Sequence, residues 1–436
     1  MIVLRQTRRL RMWRDAVAAC GLSVIGSTSA WTWRLKLQAK AGPLEVRIES
    51  DHPGDVGARI VAVVPGPPGF SEVKIRRETR EEGGKPEIET GDKDFDKAFF
   101  IEGPARLVCM LLDAKVRGLL LYATSLVKID GGELQAETFD PQIAEVLPLL
   151  LDLGRRFTQK VDVVQCLIDN ALTDPKAGVR LSNLRVLVLE CAPSPRTDET
   201  LRIACADRSP KVRLWAAVEL GPAGRDVLMK LAESKKDGFS SQAVRALGRE
   251  LSFERTTAIL HHALHRRRIE TACACLEALG GSGTAEAVHA LAKVLDEEGE
   301  ELAIAAAQAL GTTGNAAAEE PLLLALRRPQ LRLRVAAVKA LGRIGSVAAV
   351  LPLKEAAKRF SRQPELVQAV RQAIAEIQAR LPGASPGQLS LAGAEAGRLS
   401  LTQAKAGQLS LATKAAGQLS FSDDQRRPKP APGGTA

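Results

Sequence analysis

The chain has 436 residues with 61 Lys and Arg against 51 Asp and Glu, and it is 45% hydrophobic but only 3% aromatic. This composition excludes a chain that is disordered throughout, and the few aromatic residues disfavour a β-sandwich or a large α/β enzyme core. The net positive charge is spread along the chain without a dense polycationic segment, so nucleic acid or a membrane surface is a permitted partner but not a required one.

The N-terminal sequence and the cysteine pattern give indications of the cellular compartment. Val17-Ala18-Ala19-Cys20 follows a basic start and is similar to a bacterial lipoprotein cleavage box. Charged residues interrupt the apolar stretch before it, which disfavours lipidation of Cys20. The cysteine count is odd and no CxxC occurs, which indicates reduced core thiols. Because no run approaches ~20 apolar residues, we predict a cytoplasmic protein without a membrane span.

The first 157 residues alternate between strand and helix signals. A short helix is predicted over residues 13–22, and residues 78–97 are predicted to form a charged loop. Apolar and polar residues alternate in segments that predict strands over 31–38, 44–48, 59–64 and 72–76. Trp31, Trp33, Leu35 and Leu37 are expected to share the buried face of the first of these strands.

Beyond the loop, the predicted order is strand, helix, hairpin and helix. The four segments are 99–101, 104–121 with a break near Asp113, 126–138, and 141–157. Together with the earlier strands they predict a small α+β domain over residues 1–157. Thr90-Gly91-Asp92, followed by Phe95-Asp96, resembles a T-G-D-x-x-F-D stretch of bacterial domains of unknown function, and this resemblance implies no activity.

From about Val161 the chain shows an internal repeat. Leu-Gly recurs at Leu220, Leu247, Leu279, Leu310 and Leu341, and one further step of the same length back leads to Leu189. Four residues before each of the five leucines stands a small residue, and three before stands an apolar one, which places all three on one helical face. We expect the small residue to permit close helix packing, and the glycine to end the helix.

Each repeat also has a first helix, which completes a helix pair. Asp207-x-x-Pro210-x-Val212-Arg213 with Ala216-Ala217 and Leu220-Gly221 resembles a HEAT repeat of the phycobilisome-lyase-like subtype, and residues 333–342 resemble its second helix. The resemblance implies an α-solenoid over residues 158–382, in which an Arg at the place of Arg213 ties neighbouring repeats together. That place holds Arg334 in one repeat but Ser240, Ala272 and Ala303 in others, so the resemblance implies an interrupted ladder.

The tail from residue 383 to 436 is of low complexity and contains a ten-residue repeat. Its four copies begin at Gly387, Gly397, Gly407 and Gly417, and each carries Leu-Ser-Leu or Leu-Ser-Phe. We predict a disordered tail whose apolar residues dock as an added strand on a partner, with an inert linker as the alternative. The candidate partner-binding residues are Leu389, Leu391, Leu399, Leu401, Leu409, Leu411, Leu419 and Phe421.

The sequence offers few residues for catalysis or a cofactor. His261, His262 and His265 share a helix but stand beside three arginines without a carboxylate, which disfavours a metal. Deoxyhypusine hydroxylases are HEAT-repeat enzymes with His-Glu pairs, and no His-Glu dipeptide occurs here. There is also no phosphate-binding GxxxxGK[ST] loop.

Clustered arginines near helix corners form a candidate basic surface for a phosphate backbone. Its residues are Arg266, Arg267, Arg268, Arg327, Arg328 and Arg332. Because aromatic residues that would stack on bases are scarce, nucleic acid is not the favoured partner. We therefore predict a mainly α, monomeric, non-enzymatic scaffold without cofactor that binds protein. The alternatives are a nucleic-acid-binding solenoid similar to HEAT-like DNA glycosylases, and a lyase-type HEAT enzyme.

Overall fold

The computed structural model describes residues 2–29, 31–32, 34–50, 57–65, 69–77, 88–122, 127–158, 162–380, 389–391 and 399–401. This part of the chain divides into two compact units, Met1–Val227 and Leu228–Ala436. Each unit is described by itself below.

An eight-stranded antiparallel sheet forms the first part of the Met1–Val227 unit. Its order is β1-β2-β3-β4-β8-β7-β5-β6. The strands are β1 Ser23–Ser27, β2 Leu35–Ala41, β3 Leu44–Ser50, β4 Gly57–Val63, β5 Lys74–Arg77, β6 Phe99–Glu102, β7 Val127–Asp130 and β8 Glu133–Phe139. The five helices of this part are α1 Ile2–Ala19, α2 Lys93–Ala98, α3 Ala105–Leu111, α4 Ala114–Tyr122 and α5 Ile143–Thr158. The predicted strands and helices of the α+β domain are therefore confirmed in kind and order with three exceptions, and β1 is a strand that the sequence pattern did not predict.

The first exception is the N-terminal helix, which spans Ile2–Ala19 instead of residues 13–22. The arginines of this segment obscure its amphipathic pattern, because Arg9 lies on the buried face of the helix. The Nε atom of Arg9 lies 2.5 Å from a carboxylate oxygen of Asp140, and the indole nitrogen of Trp13 donates to the same carboxylate at 2.9 Å. A buried ion pair thus replaces the apolar contact that periodicity would have revealed.

The second exception is the strand predicted over 31–38, because β2 begins only at Leu35. Trp31 is 81% exposed, and Thr32 turns the chain by donating from its hydroxyl to the carbonyl of Ser29 at 2.8 Å. Trp33 lies outside the described residues. Leu35 and Leu37 are buried as expected.

The third exception is the loop predicted over 78–97, of which Lys93–Ala98 is helix α2. Asp92 caps this helix, and its carboxylate accepts from the backbone N–H of Asp94 at 3.2 Å. The many charges of the segment masked a regular capping pattern. Residues 78–87 lie outside the described part.

Fourteen helices in seven consecutive pairs follow between Val163 and Ala379. The first helices are α6 Val163–Thr173, α8 Pro195–Ala204, α10 Arg225–Ala232, α12 Phe253–His265, α14 Ala285–Glu297, α16 Glu319–Ala325 and α18 Val350–Arg359. The second helices are α7 Ala177–Glu190, α9 Pro210–Glu219, α11 Asp237–Leu247, α13 Ile269–Ser282, α15 Glu300–Leu310, α17 Leu331–Ile344 and α19 Pro364–Ala379. This confirms the predicted solenoid of helix pairs.

The small residues of the repeat lie where the pattern predicts. Those four places before the leucine are fully buried: Ala216, Ala243, Cys275, Ala306 and Ala337. The step back to Leu189 is wrong by two residues, because Leu189 is 78% exposed whereas Leu187 is 1% exposed. The first pair is longer than the average repeat, so a fixed spacing does not reach its core.

The repeated glycine ends its helix in three pairs, and it has the positive φ expected of such a stop in only two of them. Gly221 and Gly248 follow their helices with φ of 56° and 48°. Gly280 and Gly342 instead lie inside helices, and Gly311 has φ of −66°. A Cβ on Gly280 would lie 2.7 Å from the carbonyl oxygen of Ala309, and one on Gly311 would lie 2.8 Å from Cα of Ala340. These glycines allow neighbouring second helices to touch through their backbones.

Candidate interaction site

An apolar groove lies between α14 and α16, the first helices of two successive pairs. It has a volume of about 470 Å³. Val288 and Leu295 line it and are buried in the solenoid core, whereas Leu324 is 55% exposed at its edge. His289, Asp296, Glu320 and Arg328 supply its polar lining. An apolar floor with a mixed polar rim suits a short protein segment.

A second groove repeats this arrangement between α10 and α12. It has a volume of about 290 Å³, and Met229, Ala258 and Ile259 are among its apolar residues. His262 lies in this groove, so one histidine of the predicted cluster contributes to the same kind of surface. First helices therefore present apolar grooves at two places in the Leu228–Ala436 unit.

The second helices present a different, polar groove. Between α17 and α19 lies a cavity of about 430 Å³ lined by Lys339 and Arg343 as well as Glu365 and Glu376. Because cations and carboxylates alternate there, the groove does not offer the uniform positive potential that a phosphate backbone requires.

The candidate basic surface is divided between exposed and structural arginines. Arg266, Arg267, Arg327 and Arg332 are exposed. Arg268 is buried and donates to the carbonyl of Ser234, and Arg328 donates to the carbonyl of Asp296 at 3.1 Å. These two side chains connect the ends of successive first helices, so they contribute to the packing of the solenoid.

The implied arginine ladder is interrupted, and another contact bridges part of the gap. Arg180, which the mistaken register overlooked, contacts the carboxylate of Asp207 at 2.7 and 2.8 Å. Where Ser240 and Ala272 replace arginine, the carboxylate of Asp237 accepts from the backbone and hydroxyl of Thr271 at 2.8 and 2.6 Å. An aspartate that reaches the next pair thus links repeats in which arginine is missing.

The candidate tail residues are described in part. Leu389–Leu391 and Leu399–Leu401 form two antiparallel strands, β9 and β10, in which Leu399 pairs with Leu391 and Leu401 with Leu389. The remaining candidates, Leu409, Leu411, Leu419 and Phe421, lie outside the described residues. Two copies of the repeat therefore have the strand conformation that docking on a sheet requires.

The T-G-D-x-x-F-D motif forms a buried ionic network between the sheet part and the first helix pair. Arg117 is at its centre: Nε donates to Asp92 at 3.0 Å, and Nη2 donates to Asp174 at 3.0 and 3.1 Å. The Lys176 ammonium lies 2.6 Å from carboxylate oxygens of Asp92 and Asp94. Sequence reasoning missed this role, because its partners are up to 84 residues apart.

The titration of the network carboxylates follows from their contacts. Burial raises the pKa of Asp92, but hydrogen bonds from Lys176 and Arg117 outweigh it and lower this pKa below its ordinary value. Asp207 behaves in the same way, with Arg180 as the donor that lowers its pKa. Burial dominates at Asp96 and raises its pKa, although Thr90 and Gly91 donate to that carboxylate. Paired carboxylates of this kind fit a structural role.

Groups for covalent or metal chemistry are few in the part of the chain that the structure describes. Burial raises the pKa of all seven cysteine thiols, to about 12 at Cys109 and Cys275. The thiols are therefore protonated near neutral pH and poor nucleophiles. Within the described residues, no group of three or more His, Cys, Asp or Glu side chains is placed to hold a metal ion. No helix among them has the length and hydropathy for crossing a bilayer.

Family models match part of the solenoid. Residues 295–376 match the family of HEAT repeats, and residues 271–297 match the PBS lyase HEAT-like repeat. Two solved structures are similar to part of the chain. An engineered protein is 21% identical with a TM-score of 0.29, covering 42% of this chain and 96% of its own. Human deoxyhypusine hydroxylase in complex with glycerol is 19% identical with a TM-score of 0.23, and the match covers 50% of this chain and 96% of that one. No curated protein matches the chain.

Proposed function

We propose that this HEAT-repeat protein is a non-enzymatic scaffold that binds a protein partner through the grooves between its first helices, with the tail repeats as a second contact. The groove between α14 and α16 carries the proposal. Its floor is apolar, its volume is about 470 Å³, and Leu324 exposes 55% of its surface at the edge. An exposed apolar side chain beside an apolar floor extends the apolar surface that a partner can cover.

Charge in the groove favours a protein segment over a nucleic acid. Arg328 and His289 are accompanied by Asp296 and Glu320, so the rim is mixed and not uniformly positive. Mixed charges around an apolar centre are typical of protein interfaces. An amphipathic helix that inserts one or two apolar residues against Val288 and Leu324 would fit the groove.

We expect the Leu324→Asp substitution to lower the affinity for a captured protein partner at least about tenfold, because a charge that a partner covers beside the apolar floor must lose its hydration. The measurement is a titration of the purified partner against the full chain by calorimetry. Leu351→Asp is the matched control, since Leu351 is a 41% exposed leucine of α18 that does not line this groove. Equal affinities of both variants would contradict the groove as the contact.

A further inference from the structure

Helix α1 has an outward face that combines arginines with an exposed leucine. Leu4, Arg8 and Arg11 recur at the spacing of one helical face and are exposed, whereas Arg9, Leu10 and Trp13 are buried. Asp15 is the one acidic residue of this helix, and it lies near the C-terminal end. The first three turns therefore expose basic and apolar side chains together with Thr7, and no acidic residue lies in them.

Strand β1 and the connection to β2 carry further exposed apolar residues. It follows α1 through the turn at Gly21, and Arg14 fixes it there by donating from Nη2 to the hydroxyl of Ser27 at 2.8 Å. Val24 is 44% exposed and Ile25 is 58% exposed on this edge strand. In the connection to β2, Trp31 is 81% exposed. We call the residues Leu4, Arg8, Arg11, Val24, Ile25 and Trp31 the N-terminal face.

We propose that the N-terminal face docks on an anionic lipid surface. Arginines that surround exposed aliphatic residues are the composition of interfacial membrane contacts, where the cations pair with lipid phosphates and the apolar side chains enter the headgroup region. A tryptophan belongs at this boundary because its ring is apolar and its N–H is polar.

Other occupants explain the face less well. Strand addition on β1 is hindered, since its register shifts between Val24 and Gly26 and such a bulge disrupts edge pairing. Nucleic acid would leave Leu4, Val24 and Ile25 without a role, because bases stack on aromatic rings and not on aliphatic side chains. This inference is independent of the groove between α14 and α16.

Sedimentation of the full chain with vesicles tests the proposal. We expect binding to vesicles of phosphatidylcholine and phosphatidylglycerol in equal parts, weakened by salt, and none to phosphatidylcholine alone. The double variant Arg8→Gln, Arg11→Gln should bind about 25-fold more weakly, because each basic residue near an anionic surface contributes about fivefold. Trp31→Ser should also bind more weakly while it keeps the salt dependence.

The control is the double variant Arg266→Gln, Arg327→Gln, which removes two exposed arginines elsewhere and should bind like the wild type. Unchanged urea midpoints show that each variant is folded. Equal weakening by the control pair, wild-type binding of the Arg8 and Arg11 variant, or binding to duplex DNA without binding to vesicles would overturn the proposal.

Discussion

The Gly178→Ala substitution is expected to destabilise the Met1–Val227 unit by about 3 kcal/mol, because it overpacks a backbone contact. Gly178 lies at the start of α7 and meets Gly91 of the T-G-D-x-x-F-D motif. A Cβ on Gly178 would overlap the carbonyl oxygen of Gly91, and a backbone atom cannot rotate away as a side chain can. The helix must therefore shift away from the sheet part and loosen the ionic network beside it.

Urea unfolding followed by tryptophan fluorescence measures this effect selectively. The chain has four tryptophans, at positions 13, 31, 33 and 215, and all belong to this unit. Gly118→Ala is the matched control, since Gly118 lies in α4 with no atom near its missing Cβ, and alanine there should stabilise by up to about 1 kcal/mol. A Gly178→Ala midpoint at or above that of the wild type would rule out the contact.

The Arg117→Met substitution is expected to cost about 3–5 kcal/mol at neutral pH, because it removes one partner of a buried ionic network. The side chains of Arg117, Asp92 and Asp174 are 3%, 4% and 1% exposed. Without the guanidinium, the two carboxylates remain buried with fewer donors. Arg202→Met is the control: Arg202 pairs with Glu199 on the surface, where an ion pair contributes less than about 1 kcal/mol.

Acid should reduce the difference between wild type and Arg117→Met. The pKa of Asp92 is lowered in the folded wild type, so its stabilising contribution is present above the ordinary aspartate pKa and lost as the pH falls through the folded value. Asp96 acts in the opposite sense in both proteins, because its folded pKa is raised. A difference in unfolding free energy that is the same at pH about 7 and about 3 would contradict this account of the network.

Periodicity predicted the solenoid well because its signal is local. The small residue four places before each leucine and the apolar residue three places before it are buried in the core. Their burial follows from helical geometry alone. The core leucine of the first pair, Leu187, was not predicted because it does not fit the spacing of the repeat. The role of the glycines was mispredicted for another reason. Whether Gly280 ends a helix or allows a close approach depends on the neighbouring helix, which no local pattern contains.

The candidate site was less predictable than the fold. The grooves between first helices arise from residues of two pairs, such as Val288 and Leu324, that are 36 positions apart. The sequence predicted Arg268 and Arg328 as surface charges. Their partners are the backbone carbonyls of Ser234 and Asp296, which a sequence pattern cannot identify. Arg117 was overlooked in the same way, since its carboxylate partners come from the N-cap of α2 and the turn before α7.

Affinity purification of the full chain, beside a form that ends at Leu381, tests the scaffold function most directly. Two binding contacts on one chain raise the apparent affinity, so the shorter form should retain the same protein partner more weakly. We expect a stoichiometric protein partner that remains bound after nuclease treatment and at high salt. Recovery of nucleic acid alone, released by nuclease or by a modest rise in salt, would contradict a protein scaffold and favour a nucleic-acid-binding solenoid.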